Sequence, residues 1–154
     1  MNEIVTLRDA EQRDCRDLYL WRNDDETRRN SRTTDIVPWN DHCRWLAEVL
    51  ADPARFLFIG HNGDAKIGTV RLDRVGEGHF IVSITLDPKF RGTGRAKSLL
   101  KLAIKRTDAR IIEALIREEN EKSRRLFASC GFNKVGQVDD HGFSLYRKSG
   151  RADD

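Results

Sequence analysis

Near the middle of the chain, "KFRGTGRAKSLL" (residues 89–100) joins a strand-like run to a run with helical spacing. Gly92 and Gly94 permit backbone conformations closed to other residues and let main-chain N–H groups approach a ligand with no Cβ in the way. At the first turn of a helix those N–H groups lack internal partners and carry the positive end of the macrodipole, which makes an anion site suited to phosphate. Arg91 and Arg95 add formal charge and the capacity for bidentate contacts. A flexible turn with two exposed arginines would carry the same letters, so the joint needs support from elsewhere. Two other phosphate loops are excluded. A Walker A loop needs glycine before its Lys-Ser, whereas Lys97-Ser98 follows Ala96 and the earlier glycine falls on Arg91. A dinucleotide fingerprint needs glycine or alanine where Lys97 stands, after a strand that opens the fold.

Other chemistries find less support. Cys15, Cys43 and Cys130 are odd in number and far apart, with no C-x-x-C pair, which argues against a disulfide framework or a zinc site. They are expected to be reduced and to pack as small hydrophobes, and no metal is expected. The formal net charge of +3, from 28 basic and 25 acidic residues, is spread along the chain and is too mild for a nucleic-acid binder. The stripe of Lys97, Lys101 and Lys105 reads as a solvated helix face. No apolar run approaches the roughly 20 residues of a membrane span, and the start lacks the apolar region of a secretory signal. A cytoplasmic location is the expectation.

The 154 residues suit one domain, set at 1–149, with 150–154 as a flexible tail. "EIVTLR" reads as a strand and "AEQRDCRDLYLWRN" as a helix whose inner face takes Cys15, Leu18, Tyr19 and Arg22. After a polar stretch, "PWNDHCRWLAEVLAD" predicts a helix capped by Asn40 or Asp41, burying Cys43, Leu46, Val49 and Leu50 and stopped by Pro53. "RFLFIG" and "AKIGTVRLDRV" flank Asn62-Gly63, which predicts a type I′ hairpin. "GEG" turns the chain into "HFIVSITLD". Strand, helix, strand, helix and two closing strands around "NKVGQVD" and "GFSLYRK" follow. An antiparallel meander followed by a βαβ crossover predicts an α+β fold: a mixed, mostly antiparallel sheet of about seven strands with helices on both faces.

At this point the sequence resembles the GCN5-related N-acetyltransferase (GNAT) family. That family's phosphate loop runs Arg or Gln, two residues, Gly, one residue, Gly or Ala; Arg91, Gly94 and Ala96 fill it, after "LDPKF". Its second motif, a strand followed by Asn, a small residue three positions on, an aromatic and Gly-Phe, is matched by Asn120, Ser123, Phe127 and Gly131-Phe132. The resemblance implies acetyl-coenzyme A as donor, lying between splayed parallel strands "HFIVSITL" and "RIIEALI". Backbone groups of Arg91, Gly92, Thr93, Gly94, Arg95 and Ala96 would cradle its pyrophosphate. Main-chain groups of Ile84 and Leu86 would pair with the pantetheine arm, and Asn120, Ser123 and Phe127 would flank it. Asn120 also reads as an ordinary helix cap.

Many relatives place a proton-donating tyrosine at the position of Phe127, and phenylalanine cannot donate. Tyr146 is a substitute candidate for the acid. The family's glutamate base is vacant in "HFIVSITL"; His42 is the candidate base, with His79, Glu77 and Glu113 behind it, and proximity alone is a further route. The tract Trp21, Arg22, Asn23, Arg28 or Arg29, His42 and Trp45 is similar to acetyltransferases of amino-sugar nucleotides: arginines for a diphosphate, tryptophans for a base or sugar face. Trp21, Arg22, Asn23, Arg28 and Trp45 are therefore the candidate acceptor-binding residues. Acetyltransferases of ribosomal-protein N-termini carry a related tract and stay open as the alternative acceptor class, as does a catalytically silent coenzyme-binding module. A homodimer is left open.

Overall fold

Hairpins build the first half of the sheet. In a computed structural model that describes residues 4–137 and 141–150, β1 (Val5–Asp9), β2 (Arg55–Asn62), β3 (Ala65–Gly76) and β4 (His79–Leu86) are consecutive antiparallel neighbours. The β2–β3 turn is displaced one residue from the expected position. Asn62 pairs with Ala65, leaving Gly63-Asp64 as the two-residue loop, and only Gly63 has a positive φ, of 62°. A type II′ turn asks for that one glycine, whereas type I′ would have put Asp64 in the left-handed region as well.

β5 (Ile111–Arg117), β6 (Asn133–Gln137) and β7 (Phe143–Ser149) complete a seven-stranded sheet in the order β1-β2-β3-β4-β5-β7-β6, with β4 and β5 its parallel pair. The last residues of "NKVGQVD" and of the expected tail, 138–139 and 151–154, lie outside the described residues. α4 (Arg95–Lys105) and α5 (Glu121–Ser129) cover one face. They bury Leu99, Leu100, Ala103, Ile104 and Phe127 against Phe58, Val70, Phe80, Val82, Ile112 and Ala114. α1 (Cys15–Asn23) and α3 (Trp39–Ala51) cover the β2 side of the other face, packing Leu18, Trp21, Leu46 and Val49 against Leu57 and Ile59. The polar stretch between them forms a short helix, α2 (Asp25–Arg29), capped by Asp24, whose carboxylate accepts from the Thr27 N–H.

The inner faces of these helices are rotated from the expected ones. In α1 the buried third residue is Trp21, while Tyr19 and Arg22 are half-buried. In α3 His42 is buried and Leu50 is exposed. α3 begins at Trp39 after Pro38, so neither Asn40 nor Asp41 is its cap; Pro38 supplies a fixed, extended entry.

α1 is fixed to the sheet by a buried carboxylate. Asp14 is 0% exposed, accepts two hydrogen bonds from the Arg8 guanidinium and one from the Lys66 ammonium, all at 2.8 Å, and a fourth from the Glu11 N–H. Burial alone would raise its pKa, but these donors outweigh it and hold the carboxyl below its ordinary range. A depressed pKa contributes stability above the unfolded value of about 3.9 and loses it as pH falls toward the folded value. Asp14→Ala is expected to cost about 3 kcal/mol in urea denaturation, because Arg8 loses its counter-charge and Lys66 keeps only Asp17. Below pH ~4 the wild type should lose stability more steeply than Asp14→Asn.

Candidate active site

β4 and β5 touch over only three residue pairs, His79↔Ile111, Phe80↔Ile112 and Ile81↔Glu113. Beyond them each strand follows its other neighbour. β4 stays with β3 to its end, where Leu86 pairs with Gly68 and the Asp87 N–H donates to the Ile67 carbonyl at 2.8 Å. A Cβ on Gly68 would collide with the Thr85 carbonyl, so glycine is what lets β4 lean this way. β5 stays with β7 as far as Arg117↔Phe143. The β5-facing edge of β4 after Ile81 is therefore parted from its neighbour, in a V that widens toward the "RGTGRA" loop.

That loop begins with a single turn, Pro88–Phe90, capped by Asp87. Gly92 and Gly94 have φ of 74° and 78°, and a Cβ at either would meet nothing within 4 Å. Gly94 is the N-cap of α4 and brings no side-chain cap, so no capping side chain competes with a ligand for the start of the helix. Thr93 turns its hydroxyl inward to the Phe90 carbonyl, at 2.5 Å. Arg95 lies over the Phe90 ring, 5.6 Å from its centroid. Arg91 is deployed differently from expectation: its guanidinium pairs with Asp24 and with Glu26, the latter at 2.9 Å, and so fastens the loop to α2. Its charge is already met, which leaves the backbone dipoles together with Arg95 to attract phosphate.

On the α4/α5 side, Ile84 and Leu86 pack partly buried against the core. Asn120 caps α5: its Oδ1 accepts from the Ser123 N–H at 3.2 Å and its Nδ2 donates to the Ser123 hydroxyl at 3.0 Å. Phe127 is 3% exposed and meets Phe132 edge-on at 4.9 Å. Tyr146 belongs to the same core, opposite Ala114. A cavity of about 570 Å³ lies between α2 and the start of α5, lined by Glu26, Arg29, Arg117, Asn120 and Lys122 among others. Lys122 reaches across it to Glu26 at 3.0 Å.

Beyond α3 the opposite face of the sheet is open at Ser83 and Leu115, and the segment after α2 covers its far end, where Arg32 lies 4.9 Å from the Phe143 ring centroid. Pairing places Arg71, Ser83, Ile81, Glu113 and Arg147 on this face together. Trp45, on α3, borders this area with the Arg71 guanidinium 5.7 Å from its ring centroid. Where the strands begin to part, His79 Nε2 is hydrogen-bonded to Glu113 Oε1, and Arg147 donates twice to Glu113 Oε2, at 3.0 and 2.7 Å. Burial pushes the Glu113 carboxyl up, but the hydrogen bonds from Arg147 and His79 bring it below the usual carboxylate range. An ionised Glu113 fixes the His79 Nε2–H tautomer and leaves Nδ1 as the basic nitrogen.

Several residues expected at the acceptor wall are engaged in holding it up. Trp21 is 4% exposed and donates its indole N–H to Asp87 at 2.9 Å. Asn23 holds Val37 through two hydrogen bonds, and Arg28 binds the carbonyls of Asn23 and Thr34. His42 is 2% exposed, stacked on Trp45, with Nε2 donating to the Cys15 carbonyl at 2.9 Å. Burial foremost, and the neighbouring Arg22, lower its pKa. A ring so enclosed packs the wall and does not face the open sheet as a base would. Arg22 differs from the others: Nη2 donates to the Thr33 carbonyl at 3.0 Å while Nη1 is buried with no hydrogen-bond partner among the described residues. The sequence reading passed over Arg71 and Arg147 and ranked His79 and Glu113 low. Strand alternation could have put Arg71 beside Ser83, but the β4–β5 and β5–β7 registers that assemble the cluster are not written locally.

A parted parallel strand pair with an uncapped, glycine-entered helix at its mouth defines an acyl-coenzyme A-binding fold. The chain matches the family model described as "Acetyltransferase (GNAT) domain" over residues 5–133, and it belongs to that family of acetyl-CoA-dependent N-acetyltransferases. No curated protein matches it in sequence. Among solved structures, a domain from Methanocaldococcus jannaschii superposes with TM-score 0.84 at 19% identity, covering 96% of this chain and 99% of that one. Spermidine N-acetyltransferase from Vibrio cholerae, in complex with CoA and spermine, does so with TM-score 0.81 at 20% identity, covering 93% and 92%. An aminoglycoside acetyltransferase in complex with coenzyme A gives 0.80 at 19%, covering 97% and 96%. Among the described residues no cluster of His, Cys, Asp and Glu could hold a metal, and no helix is long and apolar enough to cross a membrane.

The glycine joint fits a pyrophosphate: two left-handed backbones open to solvent and an uncapped helix start leave room and donors for it. Gly94→Val is expected to leave the circular dichroism spectrum unchanged, because a side chain there meets no neighbour. The same variant should weaken acetyl-coenzyme A binding at least tenfold by isothermal titration calorimetry, through left-handed strain and an obstructed approach.

Proposed function

We propose that the chain acetylates the primary amine of a small anionic acceptor, an amino-sugar nucleotide, which rests on the open face of β3, β4, β5 and β7. Acetyl-coenzyme A, held by the loop of residues 91–96 with its arm along β4 at Ile84 and Leu86, supplies the activated acetyl thioester. The observation that carries the acceptor class is Arg22. Its guanidinium is half-buried, one nitrogen is without a hydrogen-bond partner among the described residues, and Arg71 and Arg28 stand near enough to repel it. Burial first, then those two cations, lower its pKa. Unopposed positive charge in a partly dry place is costly, and an acceptor diphosphate offsets it. A polyamine would meet the Arg22 charge, which no carboxylate among the described residues offsets as Asp73 does Arg71 and Asp25 does Arg28. Trp45, backed by Arg71, offers its ring to a sugar or base.

His79, oriented by Glu113 and Arg147, accepts the proton of the incoming ammonium, directly or through one water. The thiolate, with an ordinary pKa near 8.5, leaves without a donor at the Phe127 position. His79→Ala should lower kcat/KM by about 10²-fold or more, with the coenzyme Kd unchanged.

Labelled acetyl-coenzyme A offered with amino-sugar nucleotides, polyamines and N-terminal peptides is expected to label the nucleotides. Arg22→Gln should raise the acceptor KM about tenfold or more and leave the coenzyme Kd unchanged. Labelling of peptides alone would assign the chain to protein N-termini, and labelling of polyamines would overturn the anionic acceptor.

A further inference from the structure

Two of the three cysteines, 28 residues apart in sequence, meet in space. Cys15 opens α1, Cys43 lies in the first turns of α3, and their sulfurs are 3.7 Å apart. The third, Cys130, follows α5 in the other core. Cys15 is 7% exposed, while Cys43 is only partly buried, so reagents reach the pair through Cys43. A disulfide of about 2.05 Å requires the sulfurs to close by roughly 1.7 Å, less than a side-chain rotation supplies. Nothing in the acetyl transfer set out above uses either thiol.

We propose that Cys15 and Cys43 form a reversible disulfide site that fastens the start of α1 to α3. The oxidant is a low-molecular-weight disulfide. The Cys43 thiolate attacks one sulfur of it, and the first half leaves as a thiolate. The Cys15 sulfur, giving its proton to water, then attacks the Cys43 sulfur and expels the second half. Two protein thiols and one small disulfide become one protein disulfide and two small thiols. Burial, and next the contact with Cys43, push the Cys15 thiol up to about 11, so its thiolate is scarce and the first attack falls to the more accessible Cys43, with Cys15 acting only once it is held against the Cys43 sulfur. The bridge joins the two helices that carry Arg22 and Trp45. The covalent chemistry is independent of the acceptor proposed above; only an effect on acceptor binding rests on that reading.

Incubation of the intact protein with oxidised glutathione tests this. After unfolding, thiol titration should fall from three groups to one, and peptide mapping without reductant should join the peptides containing Cys15 and Cys43. Dithiothreitol should restore all three thiols. The oxidised form should melt higher by roughly 10 °C, since the bridge closes a loop of 28 residues. Cys43→Ser should keep its two thiols, and Cys130→Ala should lose both of its own. Three titratable thiols in the treated wild type, or a stable glutathione adduct on Cys43 with Cys15 still free, would overturn the proposal. A bridge formed without a change in acceptor KM would leave the site standing and remove its link to the acceptor wall.

Discussion

The site depends on a contest between sheet partners. β4 is a full antiparallel partner of β3, and β5 of β7, while the parallel contact between β4 and β5 is limited to three residue pairs. Right-handed twist accumulates across a sheet, and a short parallel contact between two well-anchored pairs is where it can be released. The Gly68 approach draws β4 one way and the β7 ladder draws β5 the other. A gap is thus part of the lowest-energy sheet, and its exposed backbone is ready for an extended ligand.

Charge is disposed around that gap with economy. At the mouth, Glu26 faces both Arg91 and Lys122, so a carboxylate already offsets those two cations. Fixed main-chain dipoles beside Arg95 then provide the anion site, and these dipoles need no counter-ion. On the acceptor face the order is reversed. Arg71 shares Asp73 with Arg55, and Arg147 is paired to Glu113, yet Arg22 is held by a carbonyl. Positive character is retained at Arg22, and Asp24 and Glu26 keep Arg91 from adding to it.

Elements with strong local instructions were legible in the sequence. The alternating strands, the glycine joint and the Asn120 cap fall where their letters put them, because each depends on neighbours a few residues away. The α1 and α3 faces were misjudged because an aromatic-rich amphipathic helix has more than one plausible inner stripe. Trp21 and Tyr19 compete for the core, and tertiary packing chose the larger ring, whose N–H found Asp87. The type of the β2–β3 turn hung on a one-residue shift. Least legible was the His79, Glu113 and Arg147 cluster, drawn from three strands and 68 residues of chain between its ends. The same holds for the meeting of Cys15 with Cys43.

Asp87 sits where both substrates' surroundings converge. One carboxylate oxygen caps the turn leading into the glycine joint through the Lys89 N–H, and the other receives the Trp21 indole. α1 and the turn leading into the glycine joint are therefore braced on a single side chain, as are the acceptor wall and donor cradle on the reading proposed above. Inherited change in acceptor preference is then channelled away from the buried flank of α1 and onto the open strands, where new side chains can be tried without unseating the donor.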